Sequence, residues 1–357
     1  MTETNEQQPF QIPQRILVLR DLCIRTRGAD CTRCGEACPK DALSFPEGKP
    51  PVIDDAACSL CGICQGTCDA FASTSYTLTQ AHADARRAAM GARPAIITCA
   101  ENVSDEDDPA SNVAELPCLA MLSAELWAAL LAEGADVQVA IDMERCETCT
   151  KAGGPAQALY AERIAHAEEW TQRNVGFAPS LPQAADEGLF AGLANAGADG
   201  DRRSLFTDML SQLKDAASGT TRERTDAHLQ TLREQNERFA AHQRLDLGNG
   251  TQFNRFAPHG RVKRVMGSSR NLLLQALDTQ PDMAARVELS LPEIDADACE
   301  GCLRCTRACP TGALAPDAQD GTLTLDWRYC IGCGLCESAC PRNAITLTTK
   351  PISEAAC

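Results

Sequence analysis

The residues in this chain best placed to do chemistry are cysteines, and they come in runs. Cys299, Cys302, Cys305 and Cys309 follow the spacing C-x2-C-x2-C-x3-C and are followed by Pro310. Cys330, Cys333, Cys336 and Cys340, followed by Pro341, repeat it without deviation. Cys58, Cys61, Cys64 and Cys68 keep the spacing, but Asp69 stands where proline is expected. Cys31, Cys34 and Cys38, with Pro39, keep the latter part of a fourth run. Its first cysteine must then be Cys23, seven intervening residues upstream instead of two. The total of 21 cysteines is odd, so they cannot all pair within the chain as disulfides. Disulfide scaffolds are also usually short exported chains. Repeated, closely spaced thiolates instead suit a metal or a metal–sulfur cluster. Zinc is the rival, but it usually takes two C-x2-C pairs, a poor fit to complete four-cysteine repeats.

These runs resemble the ligand runs of bacterial-type two-cluster [4Fe–4S] ferredoxins, in which the fourth cysteine of each run serves the other cluster. The resemblance covers about residues 16–80 and 286–350. It implies four [4Fe–4S] clusters and assigns their ligands. Cys23, Cys31, Cys34 and Cys68 would hold one, and Cys58, Cys61, Cys64 and Cys38 its neighbour. At the other end the sets are Cys299, Cys302, Cys305 with Cys340, and Cys330, Cys333, Cys336 with Cys309. For Cys23 the alternative is a free thiol beside a three-iron or incomplete cluster. The seven-residue insertion before Cys31 reads as a surface loop. Three of the runs continue as C-P-x-x-A-[LI], read as a short helical turn packing an alanine and an aliphatic residue against the cluster.

Four more cysteines lie between the two regions. Ala95-Ile96-Ile97 predicts a strand ending at Cys99, and Val113 to Leu116 leads into Pro117-Cys118. A helix is expected over 120–133, with Leu122, Leu126, Ala129 and Leu130 on one face and Gly134 at its end. Val137 to Ile141 predicts a further strand, followed by Cys146-x2-Cys149 and a helix over 155–170. In an open α/β sheet, strand ends and the loops after them are where ligands bind. Cys99, Cys118, Cys146 and Cys149 are therefore a candidate fifth site, for an iron–sulfur cluster or zinc. The alternative is two small core residues and an incidental or redox-active pair. The pattern is also loosely similar to the α/β iron–sulfur subunits associated with hydrogenases and heterodisulfide reductases.

The elements that must position these cysteines define an α+β fold class: two ferredoxin-like two-cluster domains flanking a small α/β domain and a helical linker. The expected boundaries are 16–80 and 286–350 for the ferredoxin-like domains, 90–175 for the α/β domain and 176–285 for linker and helices. Within the last, 176–201 reads as linker, 203–217 and 221–244 as helices, and 261–270 as a basic island. That island is either a solvated face or a docking patch for an acidic partner. The five histidines are scattered and read as solvated side chains. Aromatics are only 4% of the 357 residues, so a large aromatic core is not what organises the chain. A net charge of −16 argues against nucleic-acid binding, which needs a basic footprint. No apolar stretch approaches the ~18 residues of a membrane span, and the opening residues do not read as a secretory signal.

If all iron corners are filled by cysteine, none is open to substrate, which favours electron transfer over catalysis. The chain shows no Gly-rich dinucleotide fingerprint, phosphate loop or nucleophile–base set. The reading is an electron-transfer protein relaying single electrons, as a subunit of a larger oxidoreductase complex. Its expected partners are a catalytic molybdopterin, hydrogenase or flavin subunit and an electron donor or acceptor. The expected setting is the reducing cytoplasm of an anaerobic or facultatively anaerobic prokaryote. Two alternatives stand beside it: an enzyme using the middle cysteines, and a maturation or scaffold protein with structural clusters.

Overall fold

The computed structural model describes residues 13–90, 93–184, 251–252, 262–317 and 321–355. The helices expected over 203–217 and 221–244, most of the linker, Arg261, and His228, His242 and His259 lie outside them. One compact unit comprises residues 1–107, 111–181 and 265–357; a second comprises 108–110 and 182–264.

The first unit opens with β1 (Ile16–Val18), a helical turn over Ile24–Arg27, and α1 (Arg33–Glu36). Then come β2 (Leu43–Ser44), β3 (Val52–Ile53), α2 (Ile63–Thr67) and β4 (Phe71–Ser73). β1 pairs antiparallel with β4, enclosing the β2–β3 hairpin.

Next is α3 (Leu78–Ala88), which the sequence reading missed. Its start carries a capping box: the Thr77 hydroxyl accepts from the Gln80 N–H, and the Gln80 side chain accepts from the Thr77 N–H. β5 (Ala95–Cys99), β6 (Val113–Leu116), β7 (Val137–Val139) and β8 (Gly176–Phe177) form a parallel sheet in the order β6-β5-β7-β8. Every residue of β5 is buried, as suits a central parallel strand covered on both faces. β8 falls at the start of the expected linker; two residues are too few to read from periodicity.

α4 (Ala124–Ala132), α5 (Met143–Glu147) and α6 (Gly154–Thr171) complete this layer. α4 starts later than expected, because Leu119–Met121 forms a separate 3-10 turn and Ser123 caps the helix. All of α4 except Glu125 is buried. One face meets α6 and another meets α7 (Ser268–Thr279), which arrives from far along the chain. A helix apolar all round is one that is covered all round.

In the second unit, β9 (Thr251–Gln252) pairs antiparallel with β10 (Val262–Lys263). Separately, Pro109 bridges to Gln183, with the Ala110 N–H donating to the Pro182 carbonyl at 2.9 Å.

The first unit ends with β11 (Glu288–Ile294), α8 (Arg304–Ala308), β12 (Leu314–Pro316), β13 (Leu323–Leu325), α9 (Leu335–Ser338) and β14 (Ile345–Pro351). β11 pairs antiparallel with β14 from Glu288↔Pro351 to Ile294↔Ile345, and β12 with β13. Outer strands pairing round an inner hairpin is the pattern seen at the N-terminal end in shorter form. The chain is thus of mixed helix and strand content.

The C-P-x-x-A-[LI] segments are not helical. Each turns through one left-handed residue, Asp41 (φ 48°), Gly312 (φ 70°) or Asn343 (φ 52°), and the aliphatic residue then starts a strand. Asp, Gly and Asn are the residue types that adopt this conformation most readily. The alanine before each strand, Ala42, Ala313 or Ala344, is buried.

Candidate iron–sulfur centres

Three of the four cysteine runs share one backbone path. In each, the second residue of the first x2 pair and the residue after the middle cysteine have related conformations. Leu60 and Gly62, Gly301 and Leu303, and Gly332 and Gly334 are all left-handed. Alternating hand turns successive backbone N–H groups inward, making a concavity that suits an anion or an iron–sulfur cluster. Two leucines in left-handed positions are strained, so the path is imposed by the loop rather than by local preference.

Each of these runs lines a cavity with the crossing cysteine of its neighbour. Cys58, Cys61, Cys64 and Cys38 line one of about 410 Å³. Cys299, Cys302, Cys305 and Cys340 line one of about 380 Å³, and Cys330, Cys333, Cys336 and Cys309 one of about 330 Å³. For the fourth set, Cys34 is buried beside Cys68, Cys31 and Cys23, whose charges all bear on it.

The thiols are held in conditions that disfavour the free thiolate. Burial, then neighbouring thiols, pushes Cys34 and Cys305 up to about 11 and Cys336 up to about 12. Cys64 is raised by burial and by Cys61, Cys58 and Cys38. A bound cation or cluster would offset that repulsion, and loading would release protons. Backbone N–H groups already point at sulfur: Ala344 N–H donates to Cys340 Sγ at 3.3 Å, and Ala70 N–H to Cys68 Sγ at 3.5 Å. These donor sets fit [4Fe–4S] clusters. Among the described residues no three His, Cys, Asp or Glu side chains group to hold a single metal ion. A zinc tetrathiolate would need sulfurs only about 3.8 Å apart, from Zn–S bonds of ~2.3 Å in a tetrahedron. A cluster spreads its ligands over four irons.

The insertion between Cys23 and Cys31 is in part the surface loop expected from its sequence: Thr26, Arg27, Gly28 and Asp30 are exposed, while Ile24 and Arg25 are buried. The Arg25 guanidinium donates to the carbonyls of Cys31 (3.0 Å), Pro46 (3.2 Å), Phe45 (3.4 Å) and Lys49 (3.2 Å), and lies over the Phe45 ring. The first two extra residues thus fold inward, Arg25 tying Cys31 to the β2–β3 turn, and Gly28 (φ 90°) reverses the chain. Charge is a weak guide to burial when a guanidinium finds enough carbonyls.

At the end of the expected basic island, one arginine turns inward. Arg270 is half-buried and donates to the Cys330 carbonyl at 2.7 Å, while its Nη1 is buried with no hydrogen-bond partner. Its charge bears on the Cys330 thiol and favours the thiolate there, which suits an anionic cluster on that sulfur. Ser269 beside it bonds Asp69. His82, read as solvated, is buried, and burial and Arg86 push it down to about 4.

The middle cysteines also come together. Cys99 closes β5, Cys118 follows β6, and Cys146 and Cys149 lie in and just after α5, beyond β7. All four line one cavity of about 410 Å³, with Tyr160, Arg145 and Lys151 among its other walls. Cys118, deeply buried, is pushed up to about 12.

Residues 291–341 match the family model of the 4Fe-4S dicluster domain. A search of curated proteins returned no match. The C-terminal part of the chain is therefore a ferredoxin-type domain for [4Fe–4S] clusters, which supports an iron–sulfur electron-transfer role. No helix among the described residues is long and apolar enough to cross a membrane.

Proposed function

We propose that the chain is an electron-transfer iron–sulfur protein holding four [4Fe–4S] clusters, two at each end of the sequence. The observation that carries this is the shared backbone path: residues 58–64 repeat the left-handed positions found at 299–305 and 330–336, within the matched dicluster domain. The crossing cysteine, Cys38, meets the Cys58 run as Cys309 meets the Cys330 run. Each bound cluster supplies one electron-carrying site, with a potential set by charge, sulfur hydrogen bonds and burial.

The chain's own residues do the tuning. Backbone N–H groups donate to the sulfurs, favouring the more negative reduced state. Ala42 and Ala313 add apolar wall to two of the cavities, which lowers the local polarity round the sulfurs. With sixteen cysteines for sixteen iron corners, no corner is left for substrate, so the four sites carry charge and do not transform a molecule. The partners in this reading are proteins of opposite redox role: a catalytic subunit bearing molybdopterin, nickel–iron or flavin, and a donor or acceptor. The complex would work in a reducing cytoplasm.

The test is a spectroelectrochemical titration of the anaerobically reconstituted full chain. Reversible one-electron waves over several reduction cycles, with iron content unchanged, are expected. Cluster loss on the first reduction would point instead to structural clusters.

A further inference from the structure

We infer that Cys99, Cys118, Cys146 and Cys149 hold a fifth [4Fe–4S] cluster, placed next to the Cys38/Cys58/Cys61/Cys64 centre as the end station of one electron path. The inference rests on the four-cluster reading for its neighbour, but its own residues argue for it separately.

The first argument is convergence. Cys99, Cys118, Cys146 and Cys149, brought from the ends of β5 and β6 and from α5, line one cavity as free thiols, as the four cysteines of the Cys58, Cys299 and Cys330 sites do.

The second is the sulfur environment. The Ala120 N–H reaches Cys118, two residues back, as the Ile63 N–H reaches Cys61 and the Gly332 N–H reaches Cys330. Asn102 and Glu101 N–H groups reach Cys99. Arg145 and Lys151 share the cavity wall with Glu101 and Asp142, and Lys151 Nζ is paired with Glu101 at 3.0 Å, so the backbone N–H groups are what face the sulfurs with positive charge.

The third is adjacency. α2 packs against the turn Leu119–Met121, which starts one residue after Cys118. A Cβ on Gly62 would stand 3.3 Å from Met121 Cβ, and one on Gly66 would run into the Met121 carbonyl, so both glycines are needed for this approach. Ser59 Oγ, between Cys58 and Cys61, donates to the Lys151 carbonyl at 2.7 Å. Cys61 lies close enough to bear on Cys118 electrostatically.

The other contacts give the order. Arg33 bears on both Cys68 and Cys333, and Arg270, one residue from the Ser269–Asp69 joint, bonds the Cys330 carbonyl. The series therefore runs from the middle cysteines through the Cys58 and Cys31 runs to the Cys330 run and ends at the Cys299 run. Cys302, the one exposed cysteine among the described residues, is at that far end. An electron entering from a one-electron protein or flavin donor reduces one centre as the preceding one is reoxidised, and the last centre is reoxidised by a one-electron acceptor protein. No proton or leaving group is required.

The test compares the full wild-type chain with Cys146→Ser/Cys149→Ser after anaerobic reconstitution, by iron, sulfide and zinc content. About twenty irons in the wild type and about sixteen in the variant are expected, four per cluster. Equal iron in both, or one zinc per chain lost in the variant, overturns the fifth cluster. The variant's own count tests the four-cluster reading separately. If the variant does not fold, the wild-type count decides, since about sixteen irons there would also overturn the fifth cluster. For adjacency, the paramagnetic resonance signal of the reduced Cys58-run cluster should be broadened by its neighbour in the wild type and sharpen in the variant. An unchanged line shape contradicts the placement.

Discussion

The Asp69 carboxylate accepts hydrogen bonds from both the backbone N–H and the hydroxyl of Ser269, at 3.0 and 3.1 Å, across 200 residues of chain. Asp69 occupies the position that is proline after the other three runs. There it gives α7 a negative charge at its first turn, where the helix dipole favours one. Gly267 is part of the same joint, because a Cβ there would run into the carboxylate. The irregular residue in the third run is thus the one that fastens the N-terminal cysteine region to the helix leading into the dicluster domain.

Asp69→Ala should therefore cost about 1–2 kcal/mol, the range for losing a helix-end carboxylate and its bonds. Hydrogen exchange at the start of α7 should rise with it. Asp69→Asn, which can still accept from Ser269, should lose less. Equal exchange in Asp69→Ala and wild type would remove this joint from the account.

Arg25→Met should loosen the Cys23–Cys31 turn, leaving part-buried carbonyls without donors at a cost of about 1–3 kcal/mol. The contribution of the Asp30 ion pair is small, since that carboxylate is 97% exposed. Chelator should strip iron faster from the N-terminal region and at the wild-type rate from residues 291–341. Arg25→Lys should not rescue, because an ammonium cannot fork to several carbonyls. Uniform stripping from both regions would contradict the assignment.

Cys23→Ser should convert one cluster to a three-iron form or lose it, visible by paramagnetic resonance of the oxidised protein. An unchanged spectrum and iron content would make Cys23 a bystander.

Arg270→Gln removes a half-buried positive charge beside Cys330. Positive charge favours the reduced, more negative cluster, so the variant should lower that centre's potential by on the order of 60 mV, a tenfold step for one electron. A potential that stays put or rises would place the charge elsewhere.

The cysteine runs were legible because their spacing is local. That Cys309 and Cys340 cross to each other's run came from the ferredoxin resemblance, and that Cys99, Cys118, Cys146 and Cys149 line one cavity depends on the parallel sheet that sets their strand ends side by side. What was hidden depended on distant partners. α4 shows one apolar face in sequence, yet it is buried all round because α7 covers a second. Arg25 and Arg270 read as surface charges; only the folded chain reveals the carbonyls that take them in. α3 did carry a signal, the Thr77–Gln80 capping box ahead of Leu78, Ala81, Ala85 and Ala88. Leu60 and Leu303 could not be foreseen as left-handed, since that conformation opposes their own preference.

The central claim, four clusters in two regions, is tested most directly by counting iron and sulfide in a chain with Cys99, Cys118, Cys146 and Cys149 all changed to serine. After anaerobic reconstitution this variant should hold about sixteen irons and as many sulfides, four for each remaining run. About twelve or fewer would contradict the account.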